Sequence, residues 1–161
     1  MSLQLAPPDM LRAEHRCDEF NCGEPILDEW LKRRAMANQL SGATQTFVVA
    51  DERGRVMGYY ALATGAVALE ATAAAQGSTR AEPIPVVVLA PLGVDRRARG
   101  IKLGGALLRD ALGRARAVSE GCGAAALLVH ALSDDSWQFY RHFGFQAAPV
   151  TPMTLMLRLP P

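Results

Sequence analysis

Residues 86–108 carry the densest chemistry in the chain: VVVLAPLGVD, then RRARGIKLGG, then ALL. A continuous apolar run, a short basic loop with three glycines and the start of an amphipathic stretch predict a strand, a turn and a helix N-terminus. That order makes an anion site. The first helical N–H groups lack intrahelical acceptors, and the helix dipole puts partial positive charge at the same end. Glycine lets the backbone approach a phosphate closely. Arg96, Arg97, Arg99 and Lys102 surround the loop with full charges. The expected ligand is a cofactor bearing a pyrophosphate.

The loop is not one of the common nucleotide signatures. There is no G-x-x-x-x-G-K-[ST], which argues against a P-loop kinase or ATPase. There is no early G-x-G-x-x-G with an acidic residue further on, which argues against a dinucleotide fold. Other constellations fail too. Ser133, Ser136, Asp134, Asp135 and His142 could be drawn as a hydrolase triad, but no G-x-S-x-G elbow exists, and Ser133 with Asp134 reads better as a helix cap. Cys17, Cys22 and His15 do not complete a zinc ligand set, so no metal is expected. His15 is read as packing or hydrogen bonding near the N-terminal helix and Trp30 as core. Asp28 is left open between a salt bridge and a substrate contact, and the roles of His130 and His142 are open.

The elements that must position this loop follow from periodicity and punctuation. Residues 24–40 read as one helix, with Pro25 in its first turn and Ile26, Leu27, Trp30, Leu31 and Ala35 at helical spacing. Gln45–Ala50 and residues 56–64 read as strands joined by a turn at residues 51–54, an antiparallel hairpin. Residues 70–82 read as a loop. Ile84–Val94 reads as a central strand. Residues 101–118 read as a helix, 124–131 as a buried strand, 133–143 as a short helix and 153–159 as a closing strand. Strand–helix–strand around the basic loop implies parallel neighbours there, with antiparallel strands on either side. The fold expected is α/β with a mixed sheet.

The whole chain sets bounds on function. Its 161 residues suit a single domain, 1–161, with a full core. Half the residues are hydrophobic and a fifth charged, and the net charge is +1, so the chain is no polycation. Charge is uneven, however: Lys102, Arg109 and Arg116 recur every seventh residue and share one helix face. That face reads either as a solvated surface or as a track for RNA phosphates, the former slightly preferred for Arg109 and Arg116. Three cysteines, Cys17, Cys22 and Cys122, give no disulfide framework, and neither a signal peptide nor a membrane-spanning run is apparent. A cytoplasmic location is expected.

The loop resembles the acyl-CoA loop [QR]-x-x-G-x-[GA] of the GNAT superfamily of N-acetyltransferases. The matching residues are Arg99, Gly100, Ile101, Lys102, Leu103 and Gly104. Lys102 departs from the pattern, where glycine is usual. With a negative φ it would still offer its N–H; a site needing positive φ would be weakened. The segment Phe139, Tyr140, Arg141, His142, Phe143, Gly144, Phe145 resembles the F-Y-x-x-x-G-F that ends such domains. The N-terminal His15, Phe20, Cys22, Gly23, Leu27, Asp28, Trp30 and Leu31 resemble the pattern H-x-x-x-x-F-x-C-G-x-x-x-L-D-x-W-L of GNAT toxins from bacterial toxin–antitoxin pairs. The likeness continues through residues 46–49, 58–62, 83–86, 129–132 and 153–156. Pro91 stands where those toxins often carry Arg.

This resemblance implies a GNAT fold: antiparallel N-terminal strands, parallel strands splayed at an acyl-CoA cleft, and flanking helices. It implies an acetyl-CoA-dependent enzyme that acetylates the α-amino group of aminoacyl-tRNA and blocks translation. Acetyl-CoA would lie against Leu92, Gly93, Val94, Arg99, Gly100, Ile101, Lys102, Leu103, Gly104 and Gly105. The Val94 N–H would stabilise the oxyanion and Tyr140 would protonate the thiolate. The implied partners are aminoacyl-tRNA and a ribbon-helix-helix antitoxin, through which alone operator DNA would be contacted; a homodimer is compatible with it. No general base stands out. An α-amine titrates near about 8 and a lysine side chain near about 10.4, so an α-amine substrate needs one less. Two alternatives stay open: an acetyltransferase for a small-molecule or protein amine, and a degenerate fold serving as a binding module.

Overall fold

A computed structural model describes residues 4–67, 84–148 and 153–159. The loop expected at 70–82 lies outside the described residues. Among these, the chain forms β1 (Asp9–Met10), α1 (Pro25–Arg33), α2 (Ala35–Ser41), β2 (Gln45–Ala50), β3 (Val56–Val67), β4 (Ile84–Val94), a 3₁₀ turn (Arg96–Ala98), α3 (Leu103–Cys122), β5 (Ala126–His130), α4 (Asp134–His142), β6 (Gln146–Ala147) and β7 (Thr154–Arg158). The strands form a mixed sheet in the order β1-β2-β3-β4-β5-β7-β6. β4 and β5 are parallel, and the β1–β2, β2–β3, β5–β7 and β6–β7 pairs are antiparallel. This is the α/β class expected, with the parallel pair where strand–helix–strand required it.

The chain divides into two compact units, residues 1–63 with 90–111 and residues 64–89 with 112–161. In the first, the β2–β3 hairpin turns at Asp51. Its carboxylate accepts from the N–H groups of Arg53 and Arg55 and pairs with the Arg55 guanidinium at 2.7 Å. Residues 24–40 do not form the single helix expected. The helix is interrupted at Arg34, whose φ of −118° lies outside the usual helical range, and α2 resumes at Ala35. Gln39 ties α2 to the sheet: its amide donates to the Leu11 carbonyl, just past β1, and accepts from the Thr46 N–H of β2. Leu31 and Ala35 pack with Phe20, Val48, Val56 and Tyr59 as one apolar cluster. Burying such side chains contributes roughly 1.5–3 kcal/mol each for the larger ones.

α3 begins at Leu103 and runs to Cys122, later at both ends than the stretch 101–118 expected from sequence. The late start has a backbone cause, since Lys102 holds φ at +62° and cannot belong to a right-handed helix. Leu107 and Leu108 are fully buried. Gly58 on β3 makes room for this helix, for a Cβ there would lie 2.9 Å from Leu107 and 3.0 Å from Leu103.

In the second unit, β5 pairs with β7 along its whole length, and β4 pairs with β5 from Val87 to Leu89. β4 itself runs unbroken to Val94. α4 opens with a capping box: the Ser133 hydroxyl accepts from the Ser136 N–H, and the Ser136 hydroxyl accepts from that of Ser133. This is the cap read from sequence, and it commits both serines to structure.

Candidate active site

The basic loop is built from the end of β4. The Asp95 N–H donates to the Met57 carbonyl at 2.8 Å, which fastens the strand end to β3. Asp95 then caps the 3₁₀ turn, its carboxylate accepting from the Arg97 N–H and guanidinium at 2.8 to 3.1 Å. The chain leaves through Gly100, with φ of +82°, and Lys102, with φ of +62°. Ile101 between them keeps a negative φ. The condition posed by Lys102 therefore resolves toward the strained case: the position is left-handed although it is not glycine.

α3 offers free donors at its start. The Ala106 N–H bonds to the Lys102 carbonyl at 3.2 Å. The N–H groups of Leu103, Gly104 and Gly105 have no backbone acceptor among the described residues. Three unsatisfied donors at the positive end of a 20-residue helix form an anion-binding geometry. A Cβ at Gly100 would meet nothing within 4 Å, so the loop is open on that side.

The N-terminal block lies directly against this turn. The Asn21 N–H donates to Asp95 at 2.9 Å, and the Arg96 N–H donates to the Asn21 carbonyl at 2.9 Å. Arg99 directs Nη2 to the Cys22 carbonyl at 2.6 Å. The Cys22 N–H donates to Asp28 at 2.9 Å, so Asp28 holds the Cys22 peptide. Gly23 has φ of +90°, and a Cβ there would lie 3.1 Å from the Arg99 guanidinium and 3.5 Å from that of Arg96. Gly93 on β4 is buried against the same block, the nearest atoms to a Cβ there being Cys22 Sγ, Tyr59 Cε1 and Phe20 Cζ at 3.4 to 3.5 Å. Tyr59 donates to the Leu27 carbonyl at 2.7 Å and stacks on Trp30. Leu92 and Val94, flanking Gly93, are half-buried.

Electrostatics follow this wiring. Asp95 is 1 % exposed. Burial raises its carboxyl pKa, but the Arg97 guanidinium and the N–H groups of Asn21 and Arg97 outweigh that and hold it below the usual carboxylate value. Cys22 is pushed up to about 11, first by burial, so it is a thiol rather than a nucleophilic thiolate. Cys17 is likewise raised to about 11 by burial.

In the second unit, Tyr140 on α4 packs its ring against Phe139 and Phe145. Burial raises the phenol above its ordinary value, so it stays protonated through the neutral range. Its ring is buried, and its hydroxyl has no hydrogen-bond partner among the described residues. His130 is exposed and meets the Thr154 hydroxyl at 2.9 Å through Nδ1. His142 is exposed and rests edge-on to Phe143. His15 accepts from the Arg12 N–H at 2.9 Å through Nδ1. Lys102, Arg109 and Arg116 are all exposed. No group of three or more metal-ligating side chains occurs among the described residues. No described helix is long and apolar enough to cross a membrane.

The sequence reading missed Asp95, Asn21 and Gly58. Asp95 could have been found, because an Asp directly before a short polar turn is a cap signal. Asn21 holds Asp95 and Arg96 through its backbone, while its side chain accepts from the Gly23 N–H at 3.0 Å as an Asx turn, and Gly58 acts through the absence of a side chain.

The chain is similar to known proteins in sequence and in fold. Residues 9–145 match the family described as Acetyltransferase (GNAT) family. Over 141 residues the chain is 46% identical to a tRNA-acetylating toxin of Mycobacterium tuberculosis, covering 86% of this chain and 82% of that protein. The solved structure of AtaT complexed with acetyl-methionyl-tRNAfMet superposes with a TM-score of 0.86 at 23% identity, covering 96% of this chain and 95% of the other. A variant of the AtaT toxin bound to the C-terminus of the antitoxin AtaR superposes with a TM-score of 0.81 at 25% identity, over 96% and 92% of the two chains. The chain belongs to the GNAT family of acetyltransferases.

Proposed function

We propose that this protein transfers the acetyl group of acetyl-CoA to the α-amino group of an aminoacyl-tRNA and thereby blocks translation. The observation that carries the reading is the 46% identity to a tRNA-acetylating toxin over 86% of the chain. The pyrophosphate of acetyl-CoA binds the N–H groups of Leu103, Gly104 and Gly105, with Gly100, Ile101 and Lys102 shaping the loop and Arg99 setting its edge. The pantetheine arm runs along Leu92, Gly93 and Val94. The amine attacks the thioester carbonyl, and the Val94 N–H donates to the oxyanion. The tetrahedral intermediate collapses, the C–S bond breaks, and Tyr140 gives its proton to the departing thiolate. A phenol raised by burial keeps that proton in the near-neutral range where the α-amine becomes reactive. The amine proton leaves to water, for an α-amine needs little help from a base near neutrality. As a single domain, 1–161, the protein acts in the cytoplasm. A ribbon-helix-helix antitoxin restrains it and makes the contacts to operator DNA, and the toxin pairs as a homodimer.

Label transfer tests the reading. Purified protein is incubated with radiolabelled acetyl-CoA and either aminoacylated or deacylated tRNA. Label entering only the aminoacylated pool supports it. Turnover of acetyl-CoA with label only in a small amine or a protein moves the activity to another acceptor. No binding of acetyl-CoA leaves a non-catalytic fold.

A further inference from the structure

The contacts between residues 19–23 and the turn at residues 95–99 are denser than holding a loop in place requires. Asn21 is bonded through both its N–H and its carbonyl, to Asp95 and to the Arg96 N–H. The Cys22 peptide is bonded at both ends, its N–H to Asp28 on α1 and its carbonyl to Arg99. Arg97 adds an outer contact, with Nη2 3.4 Å from the Glu19 carbonyl and Nη1 3.8 Å from its carboxylate. Arg99 is therefore not simply a cation waiting for a phosphate. One arm of its guanidinium already holds the backbone of the N-terminal block.

A charge conflict sits at the same point. The guanidiniums of Arg96 and Arg99 both lie over Gly23, within 3.6 Å of where its Cβ would be. The buried carboxylate nearest in sequence, Asp95, is engaged by Arg97 and Asn21. Arg96 has no ion-pair or side-chain hydrogen-bond partner among the described residues. Two like charges brought together without an anion repel, and an arriving phosphate relieves that repulsion.

We propose that Arg99 is a positioning residue that couples the donor loop to the N-terminal block: an anion bound at the loop draws Arg96 and Arg99 together and tightens residues 21–23 through the Cys22 carbonyl. This rests on reading the loop as the site of acetyl-CoA. The path is short and continuous. It runs from the guanidinium of Arg99 to the Cys22 peptide, and from that peptide to Asp28 in the first turn of α1. Coupling of this kind is reciprocal, so ordering residues 21–23 also favours the donor. Gly23 is part of the device, since any side chain there would push the Arg99 guanidinium away and its φ of +90° would be strained.

Hydrogen exchange with and without CoA tests the proposal, on the wild type and on Arg99→Met and Arg99→Lys. In the wild type, saturating CoA should slow exchange at the Gly104 and Gly105 amides, which report the loop. It should also slow exchange at the Asn21 and Cys22 amides, by about fivefold or more. Arg99→Met should keep the loop protection at saturation and lose the slowing at Asn21 and Cys22; Arg99→Lys should restore part of it. Gly54→Ala, at a left-handed glycine of the β2–β3 turn, controls for general destabilisation and should leave the coupling intact. Protection of the loop amides without any change at Asn21 and Cys22 would overturn the coupling, as would slowing that persists in Arg99→Met. Absence of protection at Gly104 and Gly105 would instead remove the donor-loop reading, and the coupling with it.

Discussion

Gly100 and Lys102 both hold left-handed backbone, φ +82° and +62°, with a single residue of negative φ between them. Alternation of this kind turns neighbouring N–H groups toward one side and makes an anion-binding concavity. Glycine does this without strain, whereas an L-residue there costs about 1–2 kcal/mol. Lys102 accepts that strain and contributes an exposed ammonium at the mouth of the loop.

Strain and charge at Lys102 can be separated by two substitutions. Lys102→Gly relieves the strain, partly offset by glycine's greater freedom when unfolded, for a net gain of about 0.5–1 kcal/mol. Lys102→Ala keeps the strain and loses the charge. Both should weaken CoA binding by about threefold, the range of an exposed ion pair. Only Lys102→Gly should melt higher. Calorimetry for binding and thermal melting for stability check the pair.

Tyr140→Phe should lower kcat by about 100-fold or more while leaving the KM for acetyl-CoA within about twofold. The ring contacts with Phe139 and Phe145 survive the change. No hydrogen bond is lost among the described residues, so thermal stability should be equal to or slightly above that of the wild type. A variant that melts early would assign Tyr140 to packing instead.

The pH dependence of kcat/KM should rise to about pH 8 as the substrate α-amine deprotonates, and should then level off. Burial raises the Tyr140 phenol above its ordinary value of 10.0, so its proton is not lost in that window. A fall between about pH 8 and pH 9 would mean that another group donates the proton.

Asp95 binds protons less readily in the folded chain than at its ordinary value of 3.8. Its charge therefore contributes stability that is fully present above that value and is lost as pH falls through the lower folded value. Asp95→Asn should cost about 2–3 kcal/mol at neutral pH, because Arg97 and the Asn21 N–H lose a buried carboxylate. The gap between wild type and variant should shrink in denaturant titrations run at about pH 3. A gap unchanged in acid would mean that shape rather than charge holds the turn.

Gly58→Ala should displace the first turn of α3. The new methyl would lie 2.9 to 3.0 Å from Leu107 and Leu103, and flexible Leu side chains absorb part of that overlap. Expected are a stability loss of about 1 kcal/mol and a larger relative loss of CoA affinity, because Leu103, Gly104 and Gly105 move with the turn. Equilibrium unfolding alongside CoA titration measures both.

Patterns that repeat were legible in the sequence. Apolar runs marked Gln45–Ala50 and Ile84–Val94 with their observed ends, and the Ser133 cap was readable from residue type. Where backbone conformation decided the outcome, the sequence was silent. The break at Arg34 has no proline or glycine to announce it, and the late start of α3 follows from the φ of a lysine. β1 and β6 have two residues each, too few for any periodicity. At the site, the basic loop was legible as chemistry, but its attachment to residues 21–23 was not. That attachment runs through the backbone atoms of Asn21 and Cys22, which are the same in every residue type.

Whether the acceptor is an α-amine carried on tRNA is read from the mass of the 3′-terminal aminoacyl-adenosine. Aminoacylated tRNA is incubated with the protein and acetyl-CoA, digested with nuclease and analysed by mass spectrometry, with Tyr140→Phe in parallel. This nucleoside should gain one acetyl group with the wild type and gain it far more slowly with the variant. An unmodified aminoacyl-adenosine, in a reaction where the same protein consumes acetyl-CoA on another amine, would contradict it.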